Sequence, residues 1–566
     1  MKKTTLLKTA ALSLAIAPAL STAADRVGDF SLLDQDGYYH SMSWLDDHKA
    51  VALLVQANGS DATAAAVPAF DALRAEYDAK GIEFFMINPM GKKNRAEVKA
   101  ELAEYGVEIP VLMDDSRLIS EALGVAQTGE VIVFNPSKFT VDYQGSVAGA
   151  EAALAEIAAG QAVTAAMVAA NGEAISFSSN DSISYSKDIA PVLAENCASC
   201  HREGGIAPFA MDSHAMVQGW SPMIREVLMT KRMPPGQIDG HIGEFLNGMV
   251  LDDQQVRNVI AWAEAGAPKD GDEDPLTQLT WPESEWAFGE PDYIITVPTQ
   301  QVPATGVLDY RDVAVKIDIP TDRYLRGSQY IAGDPTVLHH TINRLDFPGE
   351  SRGGFLGSND PDKASITPYI PGADPVWNPD NTGGLVKAGS VLNLNLHYTT
   401  TGRESVDDGK IGLWFYPEDV IPEERMSGAC ACIFPPSWTS IPPNDPNFEQ
   451  TASITIKKDA NIMSFTPHMH FRGKYMRFFA DFPDGTSEEL INIAQYDYAW
   501  QRAYTLAEPR FVPGGTKIRA VGAFDNSAQN PANPDPEREV PWGQQSWDEM
   551  FFGAVNWKYT EQGGED

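Results

Sequence analysis

A chain of 566 residues is longer than one hydrophobic core can organise, so three or four domains are expected. Asp and Glu number 78 against 42 Lys and Arg, a formal charge of -36, and like charges repel, which argues against nucleic acid and anionic membrane as partners. Four cysteines in such a length rule out a disulfide-built scaffold.

In chain order, Lys2, Lys3 and Lys8 precede the apolar run Ala10–Leu20 and the small residues 21–24. This predicts a secretory signal over 1–24, its apolar part too short to span a bilayer. No later segment reaches transmembrane length and no Cys follows the run. A soluble periplasmic or secreted protein without membrane insertion is expected.

Residues 25–165 alternate short apolar runs (Val51–Val55, Ile82–Ile87, Val131–Phe134, Phe139–Tyr143) with helical spacing over Val67–Ala79 and Asn94–Tyr105. That alternation predicts an α/β layer structure, and Ala-rich 148–168 predicts a further helix. The pattern resembles the thioredoxin-like redoxins. Where those enzymes carry a reactive cysteine, this chain reads Gln56-Ala57-Asn58-Gly59-Ser60-Asp61, and Gly129 stands near their cis-proline. No Cys precedes Cys197. Without a thiolate there is no nucleophile for peroxide or disulfide chemistry, so a docking or scaffold role is expected.

After a Ser/Asn-rich linker at 176–184, helical patterning runs from Tyr185 to Ala267 and predicts an all-α domain over 183–270, with Trp262 in a last helix ending at Gly266 and Pro268. It contains Cys197-Ala-Ser-Cys200-His201. Cys-x-x-Cys-His lets two thiols form thioethers to one porphyrin while the adjacent imidazole ligates its iron. A zinc half-site would want a further Cys or His pair nearby. The second axial ligand is open among His214, Met216, Met223, Met229, Met233 and His241. The stretch from Tyr185 to Pro235 is similar to the class I cytochromes c, in which the Met of Met-Pro-Pro ligates iron. That resemblance implies Met233, whose thioether would raise the potential relative to a second imidazole; core packing is the plainer role for a methionine.

From about Pro291 the texture turns to alternation, with Val313, Val315, Ile317 and Ile319 on one face and Leu392, Leu394 and Leu396 repeating the pattern. Many short strands with Gly/Pro turns predict β-sandwiches. After Gly271 the chain has five histidines: His339, His340, His397, His468 and His470. In a strand, His468 and His470 share a face and Met469 opposes them. His397 shares a polar face with Asn393 and Asn395. His339 and His340 would point apart in a regular strand, so joint ligation needs a bulge or a strand end. Each alone is more often a hydrogen-bonded structural histidine, but no histidine of the region falls outside the set. Imidazole suits copper, zinc, iron and nickel, and a thioether partner favours copper.

The segment from Trp281 to Tyr559 resembles the copper type II, ascorbate-dependent monooxygenases, which include peptidylglycine and dopamine hydroxylases. The matching stretches are Leu338-His-His-Thr341, Leu396-His-Tyr398, Pro467-His-Met-His470 and Asp548-Glu-Met550. The resemblance implies two jelly-roll-like sandwiches, 281–435 and 436–562, and two copper ions. His339, His340 and His397 would hold the electron-transfer copper; His468, His470 and Met550 would hold the one where O2 and a small-molecule substrate meet. The implied reaction hydroxylates an aliphatic C–H and consumes two external electrons, from ascorbate or an electron-donor protein; a covalent haem c in the same chain adds the expectation of an internal relay that supplements or replaces ascorbate. Two departures stand out. The Arg and Tyr that anchor a peptide carboxylate in peptidylglycine hydroxylase are Thr466 and Ala554 here, which argues against C-terminal glycine peptides, with Arg472 and Lys474 as alternative positive groups. The bracing disulfides of the animal enzymes are also missing; Cys430-Ala-Cys432 is ranked first as a local disulfide, then as free thiols, then as an accessory copper site. The rival reading is a non-catalytic electron-transfer or copper-handling protein.

Overall fold

Six strands in the order 111–113, 82–88, 50–55, 131–135, 140–145 and 167–168 form the N-terminal sheet. The computed structural model describes residues 26–560 except 92–93, 178–182, 237, 283, 351–359, 361 and 373, so the expected signal at 1–24 lies outside it. The central strand Ala50–Val55 is buried at every position because both faces of its sheet are covered. Ala50, Ala52 and Leu54 pack with Val67 and Phe70 of the helix Asp61–Tyr77 and with Leu154 of the helix Val147–Ala158. Val51, Leu53 and Val55 face the other way, in one cluster with Met229 and Ile260 of the next segment. The Ala-rich stretch is helical only over Val147–Ala158; Gly160 at φ 72° follows, and Met167–Val168 returns as an edge strand beside Gln144 and Gly145.

Residues 185–264 supply the helices Tyr185–Ile189, Ala190–Asn196, His214–Met229 and Asp253–Glu264, joined by long loops. Trp262 is buried against Tyr185, ring centroids 5.8 Å apart, and its indole N–H donates to Pro268 O at 2.8 Å.

The remainder is two antiparallel β-sandwiches. In the first, strands 311–316, 391–398 and 338–346 form one sheet, and 376–377, 323–331, 410–415, 293–296 and 384–386 the other. Val313 and Val315 oppose Leu394 and Leu392 across the first sheet, as the alternation requires. The second sandwich joins the sheet 427–433, 551–559, 460–468, 504–512 to the sheet 448–455, 517–524, 473–481, 487–493. Ser427–Ile433, assigned from sequence to the first sandwich, pairs with Phe551–Tyr559 in the second, because its apolar positions Ala431 and Ile433 belong to that core. Cys430 and Cys432 on this strand are joined as a disulfide.

The parts are tied side to side. The loop after the third helix runs along the strand Tyr504–Val512, with Leu246 N donating to Thr505 O and Ala507 N to Glu244 O, both within 2.9 Å. Asp239 on that loop is fully buried where Arg95 of the N-terminal domain and Asn492 of the second sandwich meet. Among the described residues no helix is long and apolar enough to cross a membrane.

Candidate metal centre

His339 and His340 begin the strand Leu338–Asp346, and its ladder with Val391–Tyr398 slips between Leu338 and His340. That irregularity is what lets neighbouring side chains converge. Their Nδ1 atoms are 2.9 Å apart, and His397, paired with His340 across the ladder, completes a buried triad whose ligand atoms all lie within 4.8 Å of one another. With imidazole–metal bonds of about 2.0–2.1 Å, two nitrogens on one ion lie about 3 Å apart. The triad can therefore hold a metal ion such as copper. His397 was expected on an open polar face; instead it is 6 % exposed, because Tyr310 (ring centroids 4.4 Å) and Tyr498 cover the end of its strand.

The strand Ala460–His468 ends at the second group. Met469 turns into the core while the rings of His468 and His470 lie 5.1 Å apart. His468 Nδ1 meets Gln501 Oε1 at 2.5 Å, and His470 Nδ1 meets Asp548 O at 3.1 Å. Each acceptor places the proton on Nδ1 and leaves the Nε2 lone pair free, the second-layer arrangement that orients metal-ligating histidines. His468 pairs with Phe552 across the ladder, so Met550 stands two residues from that register position, buried at 1 % exposure.

Nε2 of His339, His340, His468 and His470 is buried with no hydrogen-bond partner. A buried polar atom left unpaired costs about 1–3 kcal/mol, and a bound metal ion is one partner that would relieve it. Protonation does not compete. Burial, reinforced by repulsion among the rings, lowers His339 to about 4 and His397 to about 3; burial, against the Gln501 hydrogen bond, lowers His468 to about 4. His340 and His470 are also held well below the usual value, chiefly by burial. Only His468 keeps part of its surface open.

Sequence reading missed the supports. Glu549 is fully buried and accepts the backbone N–H groups of His470 (2.8 Å) and Arg472 (2.7 Å), with burial pushing its carboxyl up to about 8. Arg472 is no substrate anchor: it is buried, and its guanidinium donates to Asn526 Oδ1, Trp547 O and Asp535 O. Lys474 Nζ donates to Pro446 O at 2.9 Å.

In the helical segment, Cys197 and Cys200 are unbridged and half-buried. Burial, then the neighbouring sulfur, pushes the Cys197 thiol up to about 12. His201 Nδ1 meets Phe209 O at 3.1 Å, and Phe209 stacks on Trp220 at 4.4 Å. A cleft of about 550 Å³ opens beside the motif, lined by Asn196, Ser199, Pro234, Phe245 and Met249, within the usual range for ligand pockets of about 300–1,000 Å³. Ser199 of the motif lines this cleft; Cys197, Cys200 and His201 do not. Met233 does not line that cleft; it lines the neighbouring cavity shared with Arg95 and Asp239. Of the other axial candidates, His214 Nε2 is taken by Ala267 O at 2.9 Å, His241 lies between Asp115 and Asp239, and Met229 is in the shared core. Met216 and Met223 are on the exposed side of their helix.

Residues 23–150 match the AhpC/TSA family. This N-terminal unit is a thioredoxin-like redoxin domain. Similar solved structures include a hypothetical protein from Sinorhizobium meliloti (21 % identity, TM-score 0.26, 28 % of this chain and 96 % of that one). A peroxidoxin from Mycobacterium tuberculosis is 20 % identical (TM-score 0.20, 24 % and 92 %), and a thioredoxin-family thiol:disulfide interchange protein from Chlorobium tepidum is 18 % identical (TM-score 0.21, 25 % and 99 %). A search of curated proteins found no match.

In the redoxin domain, the turn after the central strand carries no thiol. Ser60 caps the helix Asp61–Tyr77 and lies 2.9 Å from Thr128 Oγ1 and 2.6 Å from Glu173 Oε2, so a carboxylate from the following segment is hydrogen-bonded at this face. Gly129, at φ 71°, could not carry a side chain: a Cβ there would lie 2.7 Å from Ala62 O.

Proposed function

We propose that this protein is an exported copper-dependent monooxygenase that hydroxylates an aliphatic C–H of a small molecule with O2. What carries this reading is the convergence of five imidazoles, four of them buried and His468 partly open, on the two sides of one sandwich-to-sandwich seam. Copper would supply O2 activation and one-electron transfer. His339, His340 and His397 would hold the electron-donating copper. His468, His470 and Met550 would hold the copper at which substrate reacts, a donor set whose thioether favours Cu(I). Gln501 and Asp548 O fix the protons of His468 and His470 on Nδ1, and the partly open His468 offers the approach for substrate. Glu549 accepts from the backbone on both sides of Phe471 and so holds the turn that carries His470.

Cys197, Cys200 and His201 would hold a covalent haem c, with Met233 as the further ligand that the cytochrome resemblance implies, and the group would supply one-electron transfer in place of, or beside, ascorbate or a donor protein. The His201 Nδ1 contact to Phe209 O supports an axial role, since it leaves Nε2 for iron.

The test is a metal count with oxygen uptake. One haem and two coppers per chain, with O2 consumption matched by a hydroxylated product and lost in Met550→Ala, is the expected result. Full copper without substrate-linked O2 uptake would instead leave a carrier that stores or moves copper and electrons. A metabolite comparison between a strain lacking the protein and its parent would find the substrate.

A further inference from the structure

We infer that the substrate lies in a slot between the two sandwiches whose floor beside His468 carries no charge, and that this floor selects a neutral, largely apolar molecule over carboxylates and amines. The inference rests on the monooxygenase reading and names the class of its substrate. In one sheet of the second sandwich, a cross-strand row joins Cys432, Phe552 and His468, and the next row joins Cys430, Ala554 and Thr466. Side chains alternate between the faces of a sheet. Phe465, Val555 and Ala431 fill the core, so these two rows point away from it. Phe552 stacks on His468, centroids 5.6 Å apart. Thr466, Ala554, Cys430 and Cys432 are half-buried, as is His468. The Cys430–Cys432 disulfide lies on the edge strand and bounds the floor on that side.

The first sandwich meets this face at two places. At one end His340 reaches His468, ring centroids 5.8 Å apart. At the other, Lys558 pairs with Glu424 and its Nζ lies 3.5 Å from Thr382 Oγ1. Lys558 stands opposite Asn461, so about 20 Å of strand separates the two supports. Thr466 and Ala554 fall between them. The third row from His468 is Gly428, Asn556 and Ser464, in which Asn556 Nδ2 donates to Ser464 Oγ at 3.1 Å. Apart from His468 itself, these three rows hold no ionisable side chain, and Lys558 beyond them is neutralised by Glu424. A carboxylate or ammonium on this floor would lose water and find no counter-charge, which is costly. An apolar body instead gains by leaving water for Phe552, Ala554 and the disulfide. No described residue bonds the Thr466 hydroxyl, so one neutral hydroxyl or carbonyl on the substrate can be met there.

Binding without turnover tests this. Phenethyl alcohol, phenethylamine and phenylacetate share one ring and chain and differ in charge at neutral pH. Each is titrated by calorimetry into the full-length protein, copper-free and copper-loaded. The chain's charge of -36 would by itself favour the amine. The expected order instead puts the alcohol about tenfold or more ahead of either charged probe, because an unpaired charge is costly to desolvate. Ala554→Phe fills the floor and should weaken the alcohol by about tenfold or more, with copper content and melting temperature unchanged. Thr466→Arg supplies a counter-charge and should make phenylacetate the tightest of the three. A charged probe that equals the alcohol in the parent overturns the inference. So does the absence of binding by all three, an Ala554→Phe variant that holds the alcohol as the parent does, or a Thr466→Arg variant that gains no phenylacetate. Two bound coppers with no probe bound would remove the neutral floor and leave the monooxygenase reading. The expected order in a chain that takes up no copper would keep the floor and remove that reading.

Discussion

The imidazole of His340, on a strand of the first sandwich, lies 5.8 Å from that of His468, on a strand of the second. The centre therefore exists only while the two sandwiches stay docked, and residues that orient a ligand without touching metal should matter. Gln501 is the clearest. Gln501→Ala removes the acceptor for His468 Nδ1 and frees the ring to change tautomer. Metal affinity of the His468/His470 pair should fall by about 10–100-fold, the usual cost of losing such a partner, with the triad almost unchanged. Chelator competition resolves the two classes of site, and equal weakening of both would show that Gln501 acts on the whole fold.

Protonation of the metal-free protein gives a second test. Burial holds the folded values of His339 and His468 at about 4 and His397 at about 3, against an unfolded value near 6.5. Between those limits the unfolded chain binds more protons, so these groups add stability above pH 6.5 that is lost as pH falls towards 4. Glu549, raised to about 8, works the opposite way between about pH 4.5 and 8. A difference measurement isolates the imidazoles. The melting temperature of metal-free His397→Asn should fall less between pH 6.5 and 4.5 than that of the parent, and identical slopes would contradict the burial of His397.

The strands and the helices were legible because each rests on local pattern, whereas Met550 as a ligand came only from resemblance. Alternation at 313–319 and 392–396 marks half-buried strands, and His-x-His marks one face of one. The bulge at His339 was legible as a requirement, since an adjacent pair cannot otherwise converge. What sequence could not give is which strands from distant stretches lie together. Ser427–Ile433 reads as a strand of either sandwich until Phe551–Tyr559 pairs with it. Tyr310, Tyr498 and Gln501 carry no spacing signal, because each meets a histidine far along the chain, and Tyr498 does so across the seam. Arg472 reads from sequence as a positive group for substrate, and its burial depends on Asn526 and on carbonyls far along the chain.

The redoxin domain has lost its thiol yet keeps a structural tie that predicts its use. Asp239 is fully buried, with Arg95 Nη1 at 2.5 Å and His241 Nδ1 at 3.0 Å. Burial alone would raise its pKa; the His241 hydrogen bond and the Arg95 charge overcome this and hold the carboxyl well below the usual range. Asp239→Ala leaves Arg95 12 % exposed and without its counter-charge, a loss of about 3–5 kcal/mol for a broken buried pair. Calorimetry of the variant should show the redoxin domain melting as a separate, earlier transition. One unchanged cooperative transition would mean that the apolar contacts through Met229 and Ile260 suffice.

The second ligand of the haem proposed above can be decided by spectrum. Resemblance to the class I cytochromes implies Met233, whereas the cleft beside Cys200 is lined by Met249, whose sulfur is engaged by Arg502. Pro234, adjacent to Met233, does line the cleft. Met233→Ala should abolish the methionine–iron charge-transfer band and lower the haem potential, because a thioether ligand raises it. Met249→Ala should retain the band. The reverse outcome would transfer the axial role to Met249 and place the iron against Arg502, on the loop that also carries Gln501 and Tyr498.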